Sequence, residues 1–178
     1  DGVAVIGSSG DDDNGSSSGS AYVFEQQGDG TWQQIAKLTA DDGADGDDFG
    51  SSVAIHDGVA VIGAPGDNNN GTSSGSAYVF EQQSDGTWLQ VAKLTADDGA
   101  DGDDFGHKVT THDGVAVIGA AGDDDNGTDS GSAYVFEQQA DGTWLQVAKL
   151  TASDGDSNEN FGCSVATHAG VAVIGAVL

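Results

Sequence analysis

Three short runs concentrate oxygen-bearing side chains at intervals of 56 residues: Asp11-Asp12-Asp13-Asn14-Gly15, Asp67-Asn68-Asn69-Asn70-Gly71 and Asp123-Asp124-Asp125-Asn126-Gly127. A second set follows the same interval, running Asp41 to Asp48 and Asp97 to Asp104, and reappears in altered form as Ser153 to Asn160. Carboxylates, side-chain amides and glycine-freed backbone carbonyls are hard oxygen donors. They suit Ca²⁺, which takes about six to eight oxygen ligands, and not Zn²⁺, which would want His or Cys. The first set offers Asp11, Asp13, Asn14, Asp67, Asn69, Asn70, Asp123, Asp125 and Asn126 as candidate metal ligands; the second offers Asp45, Asp47, Asp101, Asp103 and Asp156. In the run from Asp11 the glycine falls fifth, where an EF-hand needs it at about the sixth position, so this is not an EF-hand. The competing reading is a solvated turn in which Asp and Asn hydrogen-bond locally. Neutral amides at Asn68 to Asn70, and the change to Asp156, Asn158 and Glu159 in the last linker, predict weaker binding there.

Other reactive residue types are sparse. His56, His112 and His168 recur in equivalent positions and, one repeat apart, read as turn residues rather than a metal cluster. Trp32, Trp88 and Trp144 offer either aromatic platforms for a glycan or packing between units, and packing is the favoured reading because Trp is usually mostly buried. Asn14-Gly15-Ser16, Asn70-Gly71-Thr72 and Asn126-Gly127-Thr128 fit the N-glycosylation pattern, though Asn-Gly is first a turn former. Cys163 is the single cysteine, so no internal disulfide framework exists. No Ser-His-Asp constellation or phosphate loop emerges, and an enzyme is not expected.

Composition narrows the partners. Thirty acidic residues against four lysines and no arginine give a net charge of −26. Such a polyanion is repelled by nucleic acid and by anionic membrane surfaces, which leaves cations as the obvious small partner. No run of about 18 apolar residues predicts membrane insertion, and no signal peptide opens the chain. Methionine is absent, so the sequence reads as a processed product or a segment of something longer.

The elements that must position these residues repeat with them. Asp-Gly-Val-Ala-Val-Ile-Gly begins at Asp1, Asp57 and Asp113, and returns as Ala169 to Gly175. The chain is therefore one repeat domain, 1–178, with repeats 1–56, 57–112, 113–168 and a partial repeat 169–178. In the second unit, Phe49 to Ile55 reads as strand A, and Asp57-Gly58 as a hairpin turn. Val59 to Gly63 reads as an all-apolar strand B, covered on both faces. Ser76 to Gln82 follows as strand C with two-residue alternation, and Thr87 to Thr95 as an amphipathic, outermost strand D. Four antiparallel strands with polarity rising from A to D describe a β-propeller blade with A at the hub. The fold class is all-β: an open or incomplete propeller of about three 56-residue repeats, two whole four-stranded meanders between two partial ones, thirteen strands in all. A linear β-solenoid is the rival, but its coils are usually much shorter.

FGSSVAI, VAVIGAPGD, SGSAYVFE and DGTWLQVAKLTADDGADGDDFG resemble FG-GAP repeats, the units of the integrin α-chain propeller and of many bacterial secreted proteins. The landmark pairs Phe49-Gly50 and Gly63-Ala64-Pro65 stand intact in the second unit. The resemblance implies an extracellular, non-enzymatic propeller used in adhesion or recognition, often with calcium in its loops. One departure matters: in the integrin pattern the calcium loop lies between strands A and B, and here that connection is only His56-Asp57-Gly58. The integrin site therefore does not transfer residue by residue.

In a four-stranded meander the B-to-C loops and D-to-A linkers emerge on one face. Twenty-one of the thirty acids fall there, so repulsion should be severe unless cations relieve it. A single loop seldom fills a calcium shell, so ligands from a loop and a neighbouring linker are expected to converge and clamp blades together. The leading expectation is an extracellular calcium-stabilised module for adhesion, protein interaction or self-assembly, with a protein or surface ligand and homo-oligomers formed through open strand edges. The alternative is a carbohydrate-binding propeller, with a glycan as partner.

Overall fold

The computed structural model describes residues 2–177, and among them lie thirteen strands and no helix. Strands β1 (Val3–Ser8), β2 (Ser20–Gln26) and β3 (Trp32–Leu38) form a three-stranded blade. Two four-stranded meanders follow, β4 (Ser52–His56), β5 (Val59–Ala64), β6 (Ser76–Gln82) and β7 (Trp88–Leu94), then β8 (Phe105–His112), β9 (Val115–Ala120), β10 (Ser132–Gln138) and β11 (Trp144–Leu150). Strands β12 (Ser164–His168) and β13 (Val171–Gly175) pair as the beginning of a fourth sheet. This is the all-β architecture of open, incomplete propeller blades.

The all-apolar B strands are explained by two-sided burial. Ala60, Ile62 and Ala64 of β5 face the first blade, packing with Val23, Phe49 and Tyr78, while Val61 faces the third, packing with Phe105, Ile118 and Tyr134. Alternate residues of one strand thus serve two blade junctions. Each hairpin turn between A and B places two residues in left-handed backbone, Asp57 (φ 45°) with Gly58 (φ 76°) and Asp113 (φ 49°) with Gly114 (φ 73°), as a two-residue turn between twisted strands requires.

The landmark glycines have a steric reason. A Cβ on Gly63 would lie 1.9 Å from the carbonyl oxygen of Gly106, so the glycine of one blade's strand B meets the Phe-Gly pair of the next, backbone to backbone. Gly7 meets Gly50 and Gly119 meets Gly162 in the same way. Beside this contact, Phe105 is fully buried with its ring edge-on to Tyr134 and Phe136, and Phe49 repeats the arrangement with Tyr78 and Phe80.

Three details differ from the sequence expectation. In the second blade strand A begins at Ser52, because Phe49 and Gly50 belong to the junction, where Gly19 bridges Phe49 in parallel. Burial peaks in strands B and C instead of falling steadily from A, since A lines the hub and keeps one side open. A register shift between Val79 and Phe80 against β7, repeated in the other blades, interrupts the alternation expected of strand D.

Candidate cation site at the blade junctions

The B-to-C loop is held in shape by its own polar groups. Asn70 N–H donates to Ser74 Oγ, Ser73 N–H to Asn68 Oδ1 and Asn69 N–H to Asp67 Oδ1 (3.0 Å). The linker that precedes each blade then lies between two such loops. Toward the earlier blade, Ser16 N–H donates to Asp45 (2.9 Å) and Thr72 N–H to Asp101 (2.8 Å). Asn14, Asn70 and Asn126 reach across from Nδ2 to the carbonyls of Ala40, Ala96 and Ala152, so the amides of the Asn-Gly pairs serve as loop-to-linker clamps.

Toward the later blade the carboxylates converge. Asp67, only 4 % exposed, accepts from Tyr78 Oη (2.7 Å) and Lys93 Nζ (2.8 Å). The same hydroxyl and ammonium reach Asp42 of the linker at 2.9 and 2.6 Å. The next junction copies this: Asp123 and Asp98 share Tyr134 and Lys149, and Lys149 also pairs with Asp125 at 2.6 Å. Tyr and Lys are register partners on adjacent strands C and D, Tyr78 opposite Lys93 and Tyr134 opposite Lys149, which aims both side chains at one point. In the first blade Lys37 pairs with Asp11 and Asp13 of its own loop instead.

Protonation follows this geometry. Burial pushes Asp42, Asp98 and Asp123 up, but the lysine and tyrosine hydrogen bonds outweigh it, and all three end below the ordinary carboxylate range. Hydrogen bonds from Tyr22 and then Lys37 lower Asp11 to about 2. Asp47 and Asp103 go the other way. They are buried, accept a backbone N–H from Ala44 and Ala100 (2.7 Å each), and are raised first by burial and then by the neighbouring Asp67 and Asp123.

The expected ligands thus divide. Asp47, Asp67 and Asn69 line one cleft of about 200 Å³ together with Asp42 and Lys93. Asp101, Asp103, Asp123 and Asp125 line its counterpart of about 230 Å³ with Asp98 and Lys149. Asp11 and Asp13 pair with Lys37, and Asp11 also accepts from Tyr22 and Ser20, all within the first blade. Asp156 stands at the place of Ala44 and Ala100 in the linker, not of an aspartate, and its carboxylate accepts from Ser157 N–H. Missing from the expected set were Asp42, Asp98 and the Tyr–Lys pairs. Tyr22, Tyr78 and Tyr134 with Lys37, Lys93 and Lys149 recur at the same 56-residue interval as the acids, and that was the available signal.

The profile of the FG-GAP repeat matches residues 1–24, 32–80, 88–136 and 144–178, most of the chain. The chain belongs to the FG-GAP repeat family. Each internal FG-GAP match opens on the outer strand of one blade and closes in strand C of the next, so the sequence unit spans the junction at which the carboxylates converge. No curated protein matches the chain.

The clefts fit a hard divalent cation. At the first, Asp42, Asp47 and Asp67 face one ammonium, and at the second Asp98, Asp103, Asp123 and Asp125 do. One oxygen from each of Asp98, Asp123 and Asp125 lies within 4.8 Å of the others. Carboxylates outnumber ammonium groups around the buried Asp47 and Asp103, and oxygen donors of this kind are the ligand set of hard cations. Two of the three tryptophans pack as expected, Trp144 being 8 % exposed in the core and Trp88 lying against the first junction, whereas Trp32 of the first blade is 49 % exposed. Among the described residues no helix is long and apolar enough to cross a membrane.

Proposed function

We propose that this FG-GAP chain is a non-enzymatic, extracellular adhesion or interaction module whose blade junctions are fastened by Ca²⁺. Asp42, Asp47, Asp67 and Asn69 would hold the ion at the first junction, and Asp98, Asp103, Asp123 and Asp125 at the second. The observation that carries the reading is the convergence of linker and loop carboxylates from two different segments, in excess of the single lysine that meets them. Bound calcium would supply the missing positive charge. The chain's own residues do the rest: the Tyr–Lys pairs orient Asp42, Asp67, Asp98 and Asp123, and the Asn clamps fix loop to linker. Fastened junctions would present the exposed loop tips in fixed geometry to a protein or surface ligand.

Thermal unfolding in Ca²⁺ against chelator tests this. Ligand that binds only the folded chain stabilises by about 2.7 kcal/mol per site at a hundredfold excess over Kd. The melting temperature should rise with Ca²⁺, and Asp47→Asn with Asp103→Asn should remove the rise while the chain still folds. A melting temperature indifferent to Ca²⁺ would sink the proposal.

A further inference from the structure

The face opposite the carboxylates carries a cluster of another kind. Strands β4, β8 and β12 each end on a histidine at the turn into strand B: His56, His112 and His168. From the sequence, one repeat apart, they are expected to be separate turn residues. The structure corrects this, because strands A pack side by side at the hub, where neighbouring blades are closest. The rings of His56 and His112 lie 4.1 Å apart between centroids, tilted by 35°, and those of His112 and His168 lie 4.5 Å apart, edge to face.

At the first of these contacts a carboxylate joins the rings. Asp113, next to His112 in the turn, lies 3.6 Å from His56 Nδ1 and 3.3 Å from His112 Nδ1. One donor atom from each of His56, His112 and Asp113 falls within 4.8 Å of the others. His112 Nδ1 is buried and makes no hydrogen bond, and such an unpaired polar atom asks for a partner. His56 Nδ1 accepts only a long hydrogen bond, 3.3 Å, from Asp113 N–H. The second contact offers no equivalent, since Ala169 stands where Asp113 does, on the same left-handed backbone (φ 47° against 49°).

The geometry points to a transition-metal site formed by His56, His112 and Asp113, bridging the second and third blades at the hub. Two imidazoles and one carboxylate suit a borderline ion such as Zn²⁺, Co²⁺ or Cu²⁺, with solvent completing the shell. Ca²⁺, which prefers an all-oxygen shell, does not compete for it. The site stands apart from the carboxylate clefts in both residues and ligand chemistry, so it holds whether or not those clefts bind calcium.

Titration of the full chain with Co²⁺, in excess Ca²⁺ and followed by visible d–d absorption, tests it. The expected result is one tight equivalent that Zn²⁺ displaces. His112→Ala should abolish the band. Asp113→Asn, which removes charge from an exposed side chain without disturbing the core, should weaken binding at least tenfold. His168→Ala takes a ring from the same column but not from the site, and should leave the affinity within about twofold. The inference is overturned if no tight equivalent binds, if Asp113→Asn leaves the titration unchanged, or if His168→Ala costs as much as His112→Ala.

Discussion

The two faces of the blade stack handle their polar groups in opposite ways. On the carboxylate face the buried Asp67 and Asp123 each receive a tyrosine hydroxyl and a lysine ammonium from strands of the same blade. On the hairpin face the histidines meet one another, and His112 Nδ1 receives nothing. The difference lies in reach. A lysine four carbons long crosses the junction and joins two segments. An imidazole at the end of strand A reaches only its copy in the next blade and the turn aspartate beside that copy. Repetition therefore gives one face internal counterions and the other a column of like side chains.

The largest effect expected is one that erases the comparison. Phe105→Ala removes a fully buried ring that lies between both faces at the second junction. Urea denaturation should show a loss of about 3–5 kcal/mol, and both Ca²⁺ and Co²⁺ binding should weaken together. A variant that lost one ion and kept the other intact would show that the faces do not share this floor.

Lys149→Ala strikes one face only. It leaves the buried Asp123 without its cation, and should cost about 2 kcal/mol in chelator, less than the roughly 3–5 of a fully buried pair because Asp98 and Asp125 are half exposed. Since an ammonium is removed from the cleft, calorimetric titration should show Ca²⁺ binding more tightly, while the Co²⁺ titration stays unchanged. Weaker Ca²⁺ binding would mean that Lys149 organises the cleft more than it neutralises it.

Acid divides the carboxylate face itself. Asp42, Asp98 and Asp123 have lowered values, so their contribution is present above about pH 4, the ordinary aspartate value, and is lost as pH falls below it. Asp47 and Asp103 are raised, so the folded chain takes up their protons first, and stability rises as pH falls through their values toward about 4. In chelator the urea midpoint should pass through a maximum near the bottom of that window and then drop. Asp47→Asn with Asp103→Asn should flatten the rise and spare the drop. Smallest of all is Lys37→Ala, since Asp13 is half exposed and Asp11 keeps its hydrogen bonds from Tyr22 and Ser20, and neither joins a second segment; its urea midpoint should barely move.

Much of this was legible in the sequence because periodicity carries it. The period of 56, the Asp-Gly turns and the all-apolar VAVIG runs led to thirteen strands in open four-stranded meanders, and the polar connections led to a single acidic face. That side chains from loop and linker would meet also followed from the topology. Which residues converge did not. Asp42 and Asp98 do not stand out beside Asp45, Asp47, Asp101 and Asp103 in the sequence, because their role depends on which neighbour a linker leans against. Lysine was read as scarcity of positive charge and not as an internal counterion, since only the pairing of Tyr78 with Lys93 across strands shows where the ammonium goes. The histidine column was hidden for a related reason: one repeat in sequence is a single strand spacing at the hub.

Native mass spectrometry of the full chain, with Ca²⁺ and again with chelator, tests the junction account most directly. It should count two Ca²⁺ per folded chain, one for each complete junction, both lost to chelator and one lost in Asp103→Asn. A chain that retains no Ca²⁺, or a count that neither Asp47→Asn nor Asp103→Asn alters, would contradict it.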